Sequence, residues 1–284
     1  MIGRVRSWLY VPAHKPDLLA KATAGAADAV VYDLEDAVPA AAKEEARRNA
    51  RLAMDQPQPK PLWIRVNPPG SPDGAADLAA LAGAGAGAAG LRVPKAEDPA
   101  TVAEFAERAG VPLHLLIETA LGVENAYLLA RCHPLVAVVS LGEADLMADL
   151  RVRDPSALDW ARQRVIVANR AAGLPSPPHA VWTAVADLAG LAEDTACARR
   201  RGFFGRSVVH PRQIETVNKI FTPTSAEVEQ ARNLLASGSA QANSGTAAWL
   251  DDQGRFVDPA VVTGAQWVVD LADSLAIGRI ASHS

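Results

Sequence analysis

Residues 28–54 read DAVVYDLEDAVPAAAKEEARRNARLAM. Apart from Asp28 and Asp33, the opening seven, 28–34, are apolar, β-branched and aromatic, the composition of a buried strand. From Pro39 the chain changes to alanine and mixed charge over 39–54, a helix pattern. Pro39 suits a first helical position, and Asp36 a nearby cap. The stretch is therefore one strand followed by one helix. Between them stand Asp33, Glu35 and Asp36, with no Lys or Arg among them. Like charges packed at a strand end raise one another's pKa values, which calls for a cation from elsewhere.

The same unit recurs along the chain. Strands are expected at 7–12, 28–34, 61–67, 90–95, 112–118, 135–141, 178–184 and 203–209, with Ala-rich helical runs between them. Eight strand-plus-helix units in 284 residues predict an α/β fold, a (β/α)8 TIM barrel over 1–221. An open doubly wound sheet is the alternative. The least strand-like of the eight is 178–184, which follows a Pro-rich run. Residues 222–284 fall outside the barrel count and predict a C-terminal helical extension. It comprises a helix at 224–237, a polar Gly/Ser-rich stretch at 237–245 and a last helix at 259–277.

Composition narrows the function. Net charge is −4 and no basic block stands out, which argues against nucleic acid as a partner. No run of 18 apolar residues suggests a membrane span, and the first residues do not form a secretory signal. Two cysteines, Cys132 and Cys197, make no disulfide framework, so a reducing, cytoplasmic setting is expected. The few histidines lack zinc-ligand spacing. GAGAAG at 85–90 has the spacing of a dinucleotide fingerprint, but a helix precedes it and a strand follows, the reverse of what phosphate binding requires.

In a barrel, chemistry sits where strands run out into the following loops. Those ends carry Asp33, Glu35 and Asp36, then Arg65 and Asn67, Lys95 and Glu97, Glu118 and Thr119, Glu143 and Asp145, and His210. One such charge is ordinary loop polarity; a charge at nearly every strand end is a pattern. Arg65 among so many acids suggests a divalent cation of the hard, oxygen-seeking kind, such as Mg2+.

Seven fragments in register carry a family resemblance. They are RSWLYVPAHKPDLLAKA, GAADAVVYDLEDAVPAAAKEEAR, IRVNPPGSPDGAADL, LRVPKAE, LLIETALGVENA, SLGEADLMADL and GRSVVHPRQIETVNKIFTP. Together the chain resembles the HpcH/HpaI aldolase superfamily, in its citrate lyase β-subunit-like and malyl-CoA lyase branch. The resemblance implies Mg2+ held by Glu118 and Asp145, with Glu35 and Asp36 bonding waters on the metal and Asp33 facing the barrel interior. It implies reversible carbon–carbon cleavage of a 3-hydroxyacyl-CoA, such as malyl-, citramalyl- or citryl-CoA, to an acyl-CoA such as acetyl-CoA plus a 2-oxo acid. In that scheme Arg65 would bind substrate and steady the enolate oxygen. Lys15 would contact the phosphates of coenzyme A, and Lys95 would position substrate or pair with a charge on the barrel floor. WLDDQGRFVDPAVVTGAQWVV at 249–269 resembles the family segment with the proton-transfer acid, here Asp258 rather than Asp251 or Asp252. That segment reaches a neighbouring subunit in the resembling lyases, which implies a homo-oligomer, a trimer or hexamer. Three rivals are a Schiff-base aldolase using Lys95, a class II aldolase on free 2-keto acids, and a β subunit of a citrate lyase complex acting on carrier-protein-bound substrate.

Overall fold

Seven of the expected strands form, and all seven join one parallel sheet. They are β1 (Ser7–Pro12), β2 (Ala29–Asp33), β3 (Leu62–Arg65), β4 (Gly90–Val93), β5 (Leu113–Ile117), β6 (Val136–Leu141) and β7 (Arg206–Val208), in the order β6-β5-β4-β3-β2-β1-β7. The computed structural model describes residues 2–85, 87–243, 248–251 and 253–281. Helices follow the strands: α1 (Pro16–Ala24), α2 (Lys43–Met54), α3 (Pro72–Leu81), α4 (Pro99–Ala109), α5 (Ala120–Glu124), α6 (Ala126–Arg131), α7 (Glu143–Leu150), α8 (Asp159–Ala171), α9 (Leu188–Arg201) and α10 (Ile214–Phe221). All five residues of β2 are buried, as expected for a parallel strand covered on both faces.

The sheet is strongly curled. Arg92 in β4 donates through Nη2 to Ser207 Oγ in β7 at 3.0 Å. Four strand steps separate those positions, roughly 19 Å in a flat sheet, more than the two side chains can span. Trp8 in β1 likewise meets the His114 ring of β5 at 5.2 Å between centroids. The enclosed face is polar in one row: Asp33, Arg65, Arg92 and His114 are successive register partners across β2 to β5.

The expected strand at 178–184 is reduced to one parallel bridge, His179 to Arg206, and the sheet is not shown closed among the described residues. Prolines at 177 and 178 lack the N–H groups a ladder needs. Beyond His179 the Gln213 amide takes the ladder's place, accepting from the Val209 N–H and donating to the Trp182 carbonyl. On the opposite edge, Asn169 of α8 accepts from the Val139 N–H and donates to its carbonyl, satisfying β6 without an eighth strand. Of the expected eight-stranded barrel, the described residues show seven strands in one curled parallel sheet, the eighth position being held by the His179 bridge alone.

Local expectations shift too. The helix expected from Pro39 begins as a 3-10 turn at Ala40–Ala42, and α2 proper starts at Lys43 without a side-chain cap. Asp36 is no cap, because Arg65 Nη1 holds its carboxylate at 3.3 Å.

A second unit, Thr222–Ser284, contains α11 (Ser225–Asn243), the hairpin strands β8 (Trp249–Leu250) and β9 (Phe256–Val257), and α12 (Pro259–Ala281). The Gly/Ser-rich stretch is helical as far as Asn243, so α11 runs past the expected end at 237. Gly238 has a reason to be there: a Cβ on it would press the Trp249 ring at 3.2 Å. Asp251 closes the hairpin by accepting from the Gln253 and Arg255 N–H groups, whereas Asp252 lies outside the described residues. Among the described residues no helix is long and apolar enough to cross a membrane.

Candidate active site

Asp33 ends β2 fully buried and fixes its neighbour in the polar row. Its carboxylate receives Arg65 Nε and Nη2, each at 2.6 Å, and also the backbone N–H groups of Glu35 and Ala37. Arg65 therefore carries a two-point anchor and stacks over the Tyr10 ring, 4.8 Å from its centroid. Burial is the largest single influence and opposes its charge, but the hydrogen bonds to Asp33 together with the charges of Tyr10, Asp33 and Glu35 outweigh it and raise its pKa. The Asp33 position on the interior face agrees with the structural part expected of it.

Glu35 and Asp36 sit beside the same guanidinium in different surroundings. Glu35 is nearly buried, with Oε2 at 2.8 Å from Arg65 Nη1. That approach lacks hydrogen-bond geometry, so Oε2 has no hydrogen-bond partner. Burial, opposed by Arg65 but reinforced by the charges of Glu118, Asp36 and Asp33, pushes its pKa to about 8. A raised pKa is the direction the crowding of like charges led one to expect here, but burial rather than the neighbouring charges is its first cause. Asp36 is 68% exposed.

Arg65, Asp36, Glu118 and Asp145 line one cavity of about 350 Å3 at the carboxyl ends of the strands. Glu118, just past β5, is buried, and Lys95 N–H donates to its Oε2 at 3.1 Å. Lys95 holds φ at 50°, a left-handed value uncommon outside glycine, which presents that N–H. Burial and then the Asp145 charge raise the Glu118 pKa to about 7. Gly142 lets the carboxylate lie where it does, since a Cβ there would overlap Glu118 side-chain atoms. Asp145 is exposed, in the first turn of α7.

These features fit a hard divalent cation. Glu118 is a carboxylate short of positive charge beside a second carboxylate, in a cavity lined by five acids and two arginines. Asp33 is neutralised by Arg65, and Glu143 by Arg162, which contacts it at 2.6 and 2.8 Å. No cluster of three or more acid, His or Cys ligands occurs among the described residues. Two carboxylates completed by water and substrate oxygens match the habit of Mg2+ rather than a full protein cage.

Other strand-end residues have structural partners. Asn67 bonds Asp77 and receives Lys43 Nζ. Glu97 accepts from Thr119, and exposed His210 accepts from the Arg212 N–H. Glu143 also faces His179 at 3.2 Å; burial works against its charge, yet the bonds from Arg162 and His179 hold its pKa down to about 2. The Lys15 and Lys95 side chains are exposed and do not line the cavity. That placement counts against Lys95 as a Schiff-base nucleophile. Asp258 caps α12, its Oδ1 accepting from the Ala260 and Val261 N–H groups at 3.0 Å.

Three polar cavity residues escaped the sequence reading: Tyr10, Arg92 and Ser207. All lie inside strands rather than at their ends. The available signal was strand parity, since Arg92 is the register partner of Arg65.

A curled parallel sheet with paired carboxylates and an anchored arginine at its carboxyl edge defines an α/β site whose carboxylates could hold a hard divalent cation. The chain belongs to the HpcH/HpaI aldolase/citrate lyase family, which matches residues 6–211. It is 32% identical to the citrate lyase subunit beta of Leuconostoc mesenteroides, over 95% of this chain and 93% of that protein. It is 33% identical to a (3S)-malyl-CoA thioesterase of Cereibacter sphaeroides, over 95% of each. Among solved structures, CitE of Mycobacterium tuberculosis in complex with magnesium, acetoacetate and coenzyme A matches with a TM-score of 0.82 at 32% identity, covering 96% of this chain and all of that one. A citrate lyase beta subunit from the same organism, complexed with oxaloacetate and magnesium, matches with a TM-score of 0.69 at 34% identity, over 78% of this chain and 98% of that one.

Proposed function

We propose that this chain is a Mg2+-dependent carbon–carbon lyase that cleaves or forms a 3-hydroxyacyl-CoA, giving an acyl-CoA and a 2-oxo acid. The observation that carries the reading is buried Glu118 beside Asp145 in the cavity that Arg65 also lines. Relatives solved with magnesium and small oxyacids support it. Glu118 and Asp145 would hold the ion, which when bound polarises the substrate's carboxylate and hydroxyl oxygens. Asp33 keeps the Arg65 guanidinium in place to stabilise the oxygen of the departing thioester enolate. Asp258 is assigned the proton for the enolate carbon, delivered from the extension of a neighbouring subunit in a homo-oligomer. Lys15 is assigned to the coenzyme A phosphates, since the cavity is too small for the whole coenzyme.

The malyl-CoA thioesterase relatives favour a second outcome at the same site, hydrolysis of the thioester. One assay separates the readings. Malyl-, citramalyl- and citryl-CoA are each incubated with Mg2+, and acyl-CoA, 2-oxo acid and free thiol are measured. A lyase releases acetyl-CoA and a 2-oxo acid in equal amounts, and EDTA stops it. Free coenzyme A with intact hydroxy acid identifies a thioesterase. Turnover unaffected by EDTA would remove the metal-dependent reading, and cleavage of free hydroxy acids alone would make the enzyme a class II aldolase.

A further inference from the structure

Arg92 stands apart from the other buried arginines. Arg47 reaches Glu44, Asp73 and Asp77; Arg162 reaches Glu143 and Asp159; Arg206 reaches Asp194. Each has the carboxylate that a buried guanidinium needs. Arg92, 2% exposed, makes no ion pair among the described residues. Its Nη2 donates to Ser207 Oγ, and its Nε and Nη1 have no partner. The faces of Tyr10 and Trp8, 5.1 and 5.9 Å from its central carbon, steady the plane. The side chain lines the same cavity as Arg65, Glu118 and Asp145.

We propose that Arg92 selects a substrate whose 2-oxo acid half is a dicarboxylate, by pairing with the carboxylate that does not reach the cation. The proposal rests on the reading that this cavity takes a 2-oxo acid. Nη2 bears two hydrogens and Ser207 takes one, so one two-hydrogen edge of the guanidinium is left without a partner; its nitrogens are closed to solvent here, so a carboxylate pairs with it only by displacing the side chains packed around it. Arg65 and Arg92 are register partners on adjacent strands, about 4.8 Å apart at the backbone, a span comparable to a four-carbon acid. The bulky end of a thioester must leave through the mouth, which puts the small acid half toward the floor. A monocarboxylate such as glyoxylate or pyruvate leaves Arg92 buried and unpaired.

The test uses (S)-malate and (S)-lactate, stable 2-hydroxy acids that differ by the second carboxylate. Both are titrated calorimetrically into the intact protein with saturating Mg2+. Malate is expected to bind at least about tenfold more tightly than lactate. Arg92→Met should bring the two within about twofold, with malate losing far more affinity than lactate, and Arg92→Lys should restore part of the preference. Equal affinities in the unsubstituted protein, binding of neither acid, or a preference that survives Arg92→Met would each overturn the proposal. The unsubstituted comparison decides even if a variant fails to fold. Failure of the lyase reading shows separately, as absence of thioester cleavage in the product assay.

Discussion

Burial and the Asp145 charge hold the Glu118 pKa near 7, so a proton and a metal ion compete for the same oxygens. The folded pKa is raised, so the neutral form dominates below it and the metal must displace a proton there. Mg2+ affinity should therefore climb about tenfold per pH unit up to pH 7 and level off above it. Titrating Mg2+ calorimetrically at pH 6, 7 and 8 checks this, and a flat profile would take Glu118 out of the ligand set. Glu118, Asp145 and Arg65 stood among the charges at and just beyond the expected strand ends, and it was the family resemblance that singled out Glu118 and Asp145 as metal ligands; the structure brings all three to one cavity. Arg92 was not legible, since a charged residue inside a short apolar run shows no partner until β4 curls over to β7. The upward shift of Glu35 was expected from its acidic neighbours, but the leading part of burial was hidden, because adjacent Glu35 and Asp36 read alike.

At the level of elements, seven of the eight expected strands formed, some with a charged residue inside them, and the one that begins at two consecutive prolines was reduced to a single bridge. Eight units could be counted, but pairing at the open edges could not, because side-chain amides distant in sequence occupy them. Asn169 is the clearest case. Fully buried, it bonds both backbone groups of Val139 and donates to the Val165 carbonyl. Asn169→Ala leaves those β6 groups without partners, at a cost of about 2–4 kcal/mol. The measurement is the shift of the urea midpoint at unchanged slope. A loss below about 0.5 kcal/mol would mean that water or another group serves the edge instead. Because β6 leads into Gly142, which accommodates Glu118, the same variant should weaken Mg2+ binding; Gln213→Ala, at the other edge, should lower stability with a smaller effect on the metal.

Over the whole molecule, the site's proton donor is assigned to a unit separate from the sheet, and capping alone would explain an aspartate before Pro259. Asn caps a helix about as well as Asp but cannot deliver a proton at neutral pH. Asp258→Asn should therefore leave the melting temperature within about 1–2 °C and reduce turnover about 100-fold or more. For the second partner, Glu118→Gln is preferable to Arg65→Ala, which would strand the buried Asp33 charge. Glu118→Gln keeps the shape and removes a metal ligand, so it too should be inactive alone. If the acid comes from a neighbour in a cyclic oligomer, random equal mixing pairs an intact barrel with an intact extension at about one site in four. Reassembled mixtures should then recover about a quarter of the unsubstituted activity. No recovery in oligomers shown by native mass spectrometry to be mixed would place the acid within a single subunit, and full activity of Asp258→Asn alone would reduce that residue to a cap.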